Sequence, residues 1–288
     1  MSEPFGARTT LRVGGDASSL VEVESVDELV ALSASLDPNV AVFVLGRGSN
    51  TLVADKGFAG VVIHLADGFT GIEIDLATRR VTAGAGADLP VVARRSVDAG
   101  LTGFEWAVGV PGSIGGGVRM NAGGHGSDMA ASVASVDVVD LDAGVLRRIK
   151  KTQLGFGYRS SAITERQVVV SCELRLAPGD PETGRATIKE IVRWRREHQP
   201  GGANCGSVFT NPPGDSAGRL IDAAGLRGLR IGTAEVSRKH ANFIQADPDG
   251  SADDVAALID EVIRRVHASS GVQLHTEVRM VGFGAEAG

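Results

Sequence analysis

A chain of 288 residues, 43% hydrophobic and 22% charged, has the balance of a globular protein and the length for two or three lobes. Its net charge of −6, with no basic run beyond pairs such as Arg94–Arg95 and Arg147–Arg148, argues against nucleic acid as a partner. The N-terminus has no signal-peptide pattern, no apolar run approaches the ~18 residues that cross a bilayer, and two distant cysteines, Cys172 and Cys205, lack metal-type spacing.

In chain order, Val21 and Val23 alternate with Glu22 and Glu24, which predicts a strand with one buried face. Ser25 with Glu28 three residues on predicts a capping box, opening a helix whose inner stripe is Leu29, Leu32 and Leu36 and which stops before Pro38. The short apolar run Val40–Leu45 predicts a strand buried on both faces. Further strands are expected around Val61–Leu65, Gly71–Asp75 and Val81–Ala85, and a helix from an Asp88 cap to Gly100. Strands near Ser135–Leu141 and Val168–Leu176 follow, on either side of Gly157-Tyr158-Arg159. Pro178-Gly179-Asp180-Pro181 is the expected boundary between lobes, with a helix running on to about His198. Near the end, Ser251 and Asp254 cap a helix with the stripe Leu258, Ile259, Val262 and Val266, closed by Gly271. A last strand over Val272–Val281 is expected to hold Glu277.

Glycine is over-represented, at 39 residues against roughly 20 for average usage, and it clusters. Gly46-Arg47-Gly48-Ser49-Asn50, just after a strand, can wrap backbone N–H groups around a pyrophosphate, although an ordinary tight turn has the same composition. It is not a dinucleotide fingerprint, because Thr51 stands where the third glycine would be, and Gly84-Ala85-Gly86 fails the same test. The segment Gly109–Gly126 has eight glycines in eighteen residues, which excludes a regular element. Its apolar Val110, Ile114, Val118 and Met120 argue against a flexible linker. Two such cradles suit a long ligand with several polar sections.

The stretch Val44–Val53 resembles the pyrophosphate loop of the UDP-N-acetylenolpyruvoylglucosamine reductase (MurB) family, and Gly109–Gly123 resembles its second flavin loop. Gly157-Tyr158-Arg159-Ser160-Ser161, Gly206–Pro212, Lys239-His240-Ala241-Asn242-Phe243 and Glu277-Val278-Arg279 match four more of its motifs, in family order over about residues 5–282. The resemblance implies an α+β chain with a vanillyl-alcohol-oxidase-type FAD-binding fold of two lobes, 1–66 and 67–178, and a C-terminal substrate domain, 185–288. It implies non-covalent FAD, NADPH as hydride donor, and UDP-N-acetylglucosamine enolpyruvate as the group reduced, in a cytoplasmic monomer that makes a peptidoglycan precursor. No metal, nucleic acid or membrane insertion is expected.

Carried over residue by residue, the resemblance gives FAD to Gly46, Arg47, Gly48, Ser49, Asn50 and Thr51 in the first loop. In the second it gives FAD to Val110, Pro111, Gly112, Ser113, Gly116, Gly117 and Asn121. Arg159 matches the family arginine, whose planar fork suits a carboxylate. Glu277 matches the carboxyl that polarises the developing enolate; a charged group there would repel it, so a neutral acid is expected. From sequence alone Glu277 is equally a solvated strand residue. Ser207 matches the proton donor, a poor acid that needs help from a cation or water. Tyr158, Asn211, Lys239, His240 and Asn242 are the candidates for the substrate side, with His240 equally readable as a packed core histidine. Cys205, two residues before Ser207, reads as a buried, inert thiol, and Tyr158 as packing near Arg159.

The chain departs from the family at Gln199–Asn204, which is small and glycine-rich, and at Gly124 and His125, where alanine and tyrosine are usual. It lacks the tyrosine-bearing insertion of the longer branch. Two rival readings are an FAD-dependent oxidase of the same superfold and a non-catalytic nucleotide-sugar-binding paralogue. An oxidase needs no Arg159, Ser207 and Glu277 together, and a paralogue without turnover should have lost one of them.

Overall fold

A computed structural model of the chain describes residues 3–284. The fold is α+β and divides into two compact units. One is built from Met1–Leu20, Gly48–Gly60 and Arg196–Gly288, the other from Val21–Arg47 and Val61–Arg195.

The unit formed by 21–47 and 61–195 holds a five-stranded antiparallel sheet in the order Val145–Lys150, Val133–Asp140, Gln167–Arg175, Arg80–Gly84, Ile72–Asp75. The helix Leu89–Asp98 buries Leu89, Val92, Ala93 and Val97 in the same core as Val81, Val136 and Leu174. In this unit Val42–Leu45 pairs in parallel with Val61–His64. It has one strand neighbour, so Phe43 and Val44 are only half-buried; the expected burial of both faces does not occur.

The capping of the first helix follows the local rule with one difference. Ser25 Oγ accepts the Glu28 N–H at 3.2 Å, while the Glu28 carboxylate takes the N–H of Glu24 rather than that of the cap. The helix Pro181–His198 buries Ile188 and Ile191 in the core of this unit, and the unit extends in sequence to Arg195.

The other unit packs the helices Ala217–Ala223 and Ala252–Ser270 with a three-stranded antiparallel sheet, Arg230–Ile231, Ala234–Val236 and Ile244–Ala246. The long helix buries Val255, Leu258, Ile259, Val262 and Val266. Each such side chain is worth ~1.5–3 kcal/mol relative to exposure. It starts where expected: Ser251 accepts the Asp254 N–H at 3.1 Å, and Asp55 accepts the N–H groups of Ala252 and Asp253 at 2.9 and 3.1 Å. Gly271, at φ +72°, ends it in the left-handed conformation. The final strand is shorter than expected. Only Arg279–Val281 is a strand, paired in parallel with Thr51–Val53, and Glu277 lies just before it.

Candidate active site

In the unit of residues 21–47 and 61–195, Gly46 and Arg47 follow a strand directly, and the second glycine-rich loop packs beside them. A Cβ on Gly46 would fall 2.5 Å from Ser113 Oγ, so a larger residue would collide with the neighbouring loop. Arg47 pairs with Asp88 at 3.1 Å, which explains why Asp88 stands at the cap of the helix Leu89–Asp98 without bonding its N–H groups. Asp88 and Ser113 form an antiparallel bridge, through Leu89 N–H to Gly112 O and Ile114 N–H to Ala87 O, both 2.9 Å. That pattern leaves the N–H group of buried Ser113 pointing away from the bridge.

The expectation that Gly109–Gly126 holds no regular element is overturned. Ile114–Arg119 is a helix, because Ile114 and Val118 are fully buried and three glycines let it lie close to its neighbours. A Cβ on Gly115 would sit 3.0 Å from that of Ala85, and one on Gly117 would press on Leu89 at 3.3 Å. Those two glycines serve packing. A Cβ on Gly116 would meet only Ser113 Oγ, at 3.8 Å; Gly116 and Pro111 are exposed and Val110 is half-buried.

This short helix ends at the turn that carries Arg159. Asn121 N–H bonds Val118 O at 3.2 Å and Ala122 N–H bonds Gly117 O at 2.8 Å, a Schellman stop with Asn121 as its left-handed residue at φ +41°. The Asn121 side chain is 4% exposed as a residue and spends its amide on protein groups. Its Nδ2 donates to Gly157 O at 2.8 Å and to Asp128 Oδ2 at 3.2 Å, and its Oδ1 accepts Ala130 N–H at 2.9 Å. Gly157 and Ser160 exchange backbone hydrogen bonds around Tyr158 and Arg159, and Arg159 has φ +54°. Its guanidinium donates to Gly123 O at 3.1 Å and lies 5.3 Å from the centroid of the Tyr158 ring, as the adjacency of the two residues suggested. Tyr158 itself is 60% exposed. Next to this turn, His125 at φ +50° stacks edge-on against Trp194; burial first, and Arg195 second, hold its imidazole below the usual histidine range.

The other unit holds Ser207 and Glu277. Val208, the residue after the serine, accepts the Glu277 N–H at 2.7 Å and donates its own N–H to Asn242 O at 2.9 Å. Asn242 then grips Phe209 twice, its Nδ2 donating to Phe209 O at 2.8 Å and its Oδ1 accepting Phe209 N–H at 3.0 Å. Phe209 bridges Thr276, and Thr210 N–H bonds His275 O at 2.9 Å. Ser207 and Glu277 are therefore neighbours on two main-chain segments laced together, and both side chains are half-buried. Asn50 joins them: its Nδ2 donates to Glu277 O at 2.9 Å and its carbonyl accepts Arg279 N–H at 3.0 Å. Gly48, at φ +61°, packs on Thr9, Ser49 is half-buried, and Thr51 is buried in the pairing with Arg279.

Of the residues proposed for the substrate side in this unit, Lys239 is exposed and donates to Arg196 O, and Asn211 accepts Ala217 N–H at 3.0 Å. His240 accepts Asn242 N–H on Nδ1 and stacks edge-on with Phe243. Burial, then the charges of Arg227 and His198, hold its pKa down against a backbone hydrogen bond that raises it. Arg227, paired with Asp222 and donating to Arg238 O, is a basic neighbour that no sequence motif singled out. Cys205 is buried and its thiol is pushed up to about 12 by that burial, so it stays protonated and inert.

Residues 17–150 match the family model for an FAD binding domain, and residues 198–281 the model for the C-terminal domain of UDP-N-acetylenolpyruvoylglucosamine reductase. The chain is 45% identical over 285 residues to the reductase of that name from Paramagnetospirillum magneticum, covering 99% of this chain and 92% of the relative. It is 44% identical over 284 residues to the one from Heliobacterium modesticaldum, covering 97% and 90%. The crystal structure of the MurB reductase from Thermus caldophilus superposes with a TM-score of 0.85 at 36% identity, over 98% of each chain.

Proposed function

The chain belongs to the MurB family of UDP-N-acetylenolpyruvoylglucosamine reductases, and from that premise we propose how its own residues carry out the reaction. The enzyme is a flavin oxidoreductase that uses FAD and NADPH to reduce UDP-N-acetylglucosamine enolpyruvate to UDP-N-acetylmuramate, a peptidoglycan precursor. Bound FAD would supply the hydride-transfer chemistry that links NADPH to the methylene carbon of the enolpyruvyl group.

The chain fits that cofactor. The Ser113 N–H is directed away from the protein's own bridge, as a backbone donor to an anionic pyrophosphate would be. We assign cofactor contact to Gly46–Thr51, to Val110–Ser113 and to Gly116, with Gly117 supporting the loop from the core side. In functional terms 1–66 and 67–178 form the two FAD-binding subdomains and 185–288 the substrate domain.

As hydride reaches the enolpyruvyl carbon, negative charge spreads into an enolate joined to the substrate carboxylate. Arg159 pairs with that carboxylate, and Glu277, as a neutral acid, donates to the enolate oxygen. Ser207 delivers the proton to the remaining carbon. Lys239 and His240 serve the nucleotide-sugar side with Asn211 and Tyr158, and Asn242 serves it from behind by holding the segment that bears Ser207. Substrate and NADPH are charged metabolites that do not cross a bilayer, which puts the enzyme in the cytoplasm, where we assign it as a monomer. Among the described residues no helix is long and apolar enough to cross a membrane.

The observation that supports this reading is the main-chain bond from Glu277 N–H to Val208 O, which makes the segments bearing Ser207 and Glu277, distant in sequence, neighbours. Its test is product analysis: NADPH consumed with the enolpyruvyl nucleotide-sugar should yield an equal amount of UDP-N-acetylmuramate, heavier than the substrate by the added hydride and proton, ~2 Da. Consumption of NADPH that depends on oxygen and yields no such product would favour an oxidase instead.

A further inference from the structure

We infer that Asn121 is a positioning residue for Arg159, acting through the Gly157 carbonyl, and that Asp128 locks Asn121 in that role. This rests on the reading above that Arg159 pairs with the substrate carboxylate.

A carboxamide has two N–H groups to give, and both of Asn121's are taken inside the protein, by Gly157 O and Asp128 Oδ2. Its oxygen accepts Ala130 N–H. The side chain is thus committed to holding protein together rather than to a ligand, although it lies in a loop that reads as flavin-binding. What it holds is specific. Gly157 O also accepts Ser160 N–H, but at 3.3 Å, so the 2.8 Å bond from Asn121 is the shorter of the two on that carbonyl. The turn closed by this carbonyl keeps Arg159 at φ +54°, where a residue with a Cβ does not rest without support.

The far end of Arg159 is anchored to the same segment. Its guanidinium donates to Gly123 O, and Gly123–Gly124 pairs with Ser127–Asp128 in a short hairpin. Asp128 both accepts from Asn121 through Oδ2 and accepts Ala131 N–H through Oδ1 as the cap of the next helical turn. The turn that carries Arg159 and the Arg159 guanidinium are therefore both tied to one stretch, Asn121–Ala131. Asn121 is also the left-handed residue of the Schellman stop, a place where glycine does at least as well. The variant Asn121→Gly accordingly keeps the helix end and removes only the amide.

The test uses the FAD-loaded proteins Asn121→Gly, Asp128→Asn, Arg159→Ala and the double variant Asn121→Gly/Arg159→Ala. Tyr158 is the single tyrosine of the chain and lies in the turn itself, so tyrosine-labelled protein gives one ring signal that reports the turn without turnover. Asn121→Gly should move or broaden that signal, and should slow reoxidation of reduced flavin by substrate roughly tenfold more than it slows reduction by NADPH. In the Arg159→Ala background it should cost nothing further in reoxidation. Asp128→Asn, which retains a helix cap, should show the same pattern more weakly. An unchanged Tyr158 signal, or a loss on reoxidation that simply adds to that of Arg159→Ala, overturns the inference. If Arg159→Ala reoxidises like the wild type, the role given to Arg159 has failed instead, and the Tyr158 signal still decides whether Asn121 holds the turn.

Discussion

Two buried asparagines, Asn242 in one unit and Asn121 in the other, each 4% exposed, stand behind the groups assigned to the chemistry, and they work differently. Asn242 presents its amide to Phe209 as a strand partner would, giving one bond and accepting one, in a fully buried place beside apolar core. Asn121 spreads its three bonds over Asp128 and Ala130 on its own stretch and Gly157 in a distant one, around a turn with a strained residue. The first completes a main-chain ladder, so its loss falls on folding. The second sets the direction of one side chain, so its loss falls on the rate of one step. A buried polar residue near an active site can thus serve stability or alignment, and the partners decide which.

The largest effect that could sharpen this contrast comes from the reacting group itself. Ser207→Ala should leave bleaching of the flavin by NADPH intact and slow its reoxidation by substrate about 10²–10⁴-fold. If both half-reactions survive, the proton donor has been misassigned.

Next, Asn242→Ala strands both the N–H and the C=O of Phe209, which is itself buried. At about 1–3 kcal/mol for each buried unpaired group, the loss should be roughly 2–6 kcal/mol in a urea melt. A change below about 0.5 kcal/mol, the size of an ordinary surface substitution, would break the comparison from the Asn242 side. Asn121→Gly should do the reverse, with about a tenfold loss confined to reoxidation and a melt shifted by less than that of Asn242→Ala.

The smallest effect concerns Asp55. Burial raises its pKa, but the bonds from the Ser251 hydroxyl and the N–H groups of Ala252 and Asp253 outweigh it, and the net shift is downward. A carboxylate lowered on folding adds stability above its unfolded pKa of about 3.9, and that contribution fades as the pH falls through the folded value. Asp55→Asn should therefore lose about 0.5–1 kcal/mol at neutral pH and approach the wild type in acid below about pH 4. A constant difference down to pH 2 would show that charge is not the cause.

The parts legible in the sequence were those decided within a few residues. Ser25 with Glu28 and Ser251 with Asp254 announce helix starts because the cap and its target are three positions apart. Gly271 announces a stop for the same reason. The helix Ile114–Arg119 was illegible because three of its six residues are glycines, and it is made stable by burial against Leu89, Ala85 and Met129, which no local pattern reveals. The candidate site was legible as motifs, since each motif is short. What each residue does there was not. Asn121 and Asn242 act on partners 36 and 33 positions away, and a side chain's choice between ligand and protein is settled only by where the chain returns.

The most direct test of the account is anaerobic. Protein reduced by one equivalent of NADPH is mixed with UDP-N-acetylglucosamine enolpyruvate, and the flavin absorbance is followed. The account predicts a prompt return of the oxidised flavin spectrum with formation of UDP-N-acetylmuramate. Reduced flavin that persists until oxygen is admitted would contradict it.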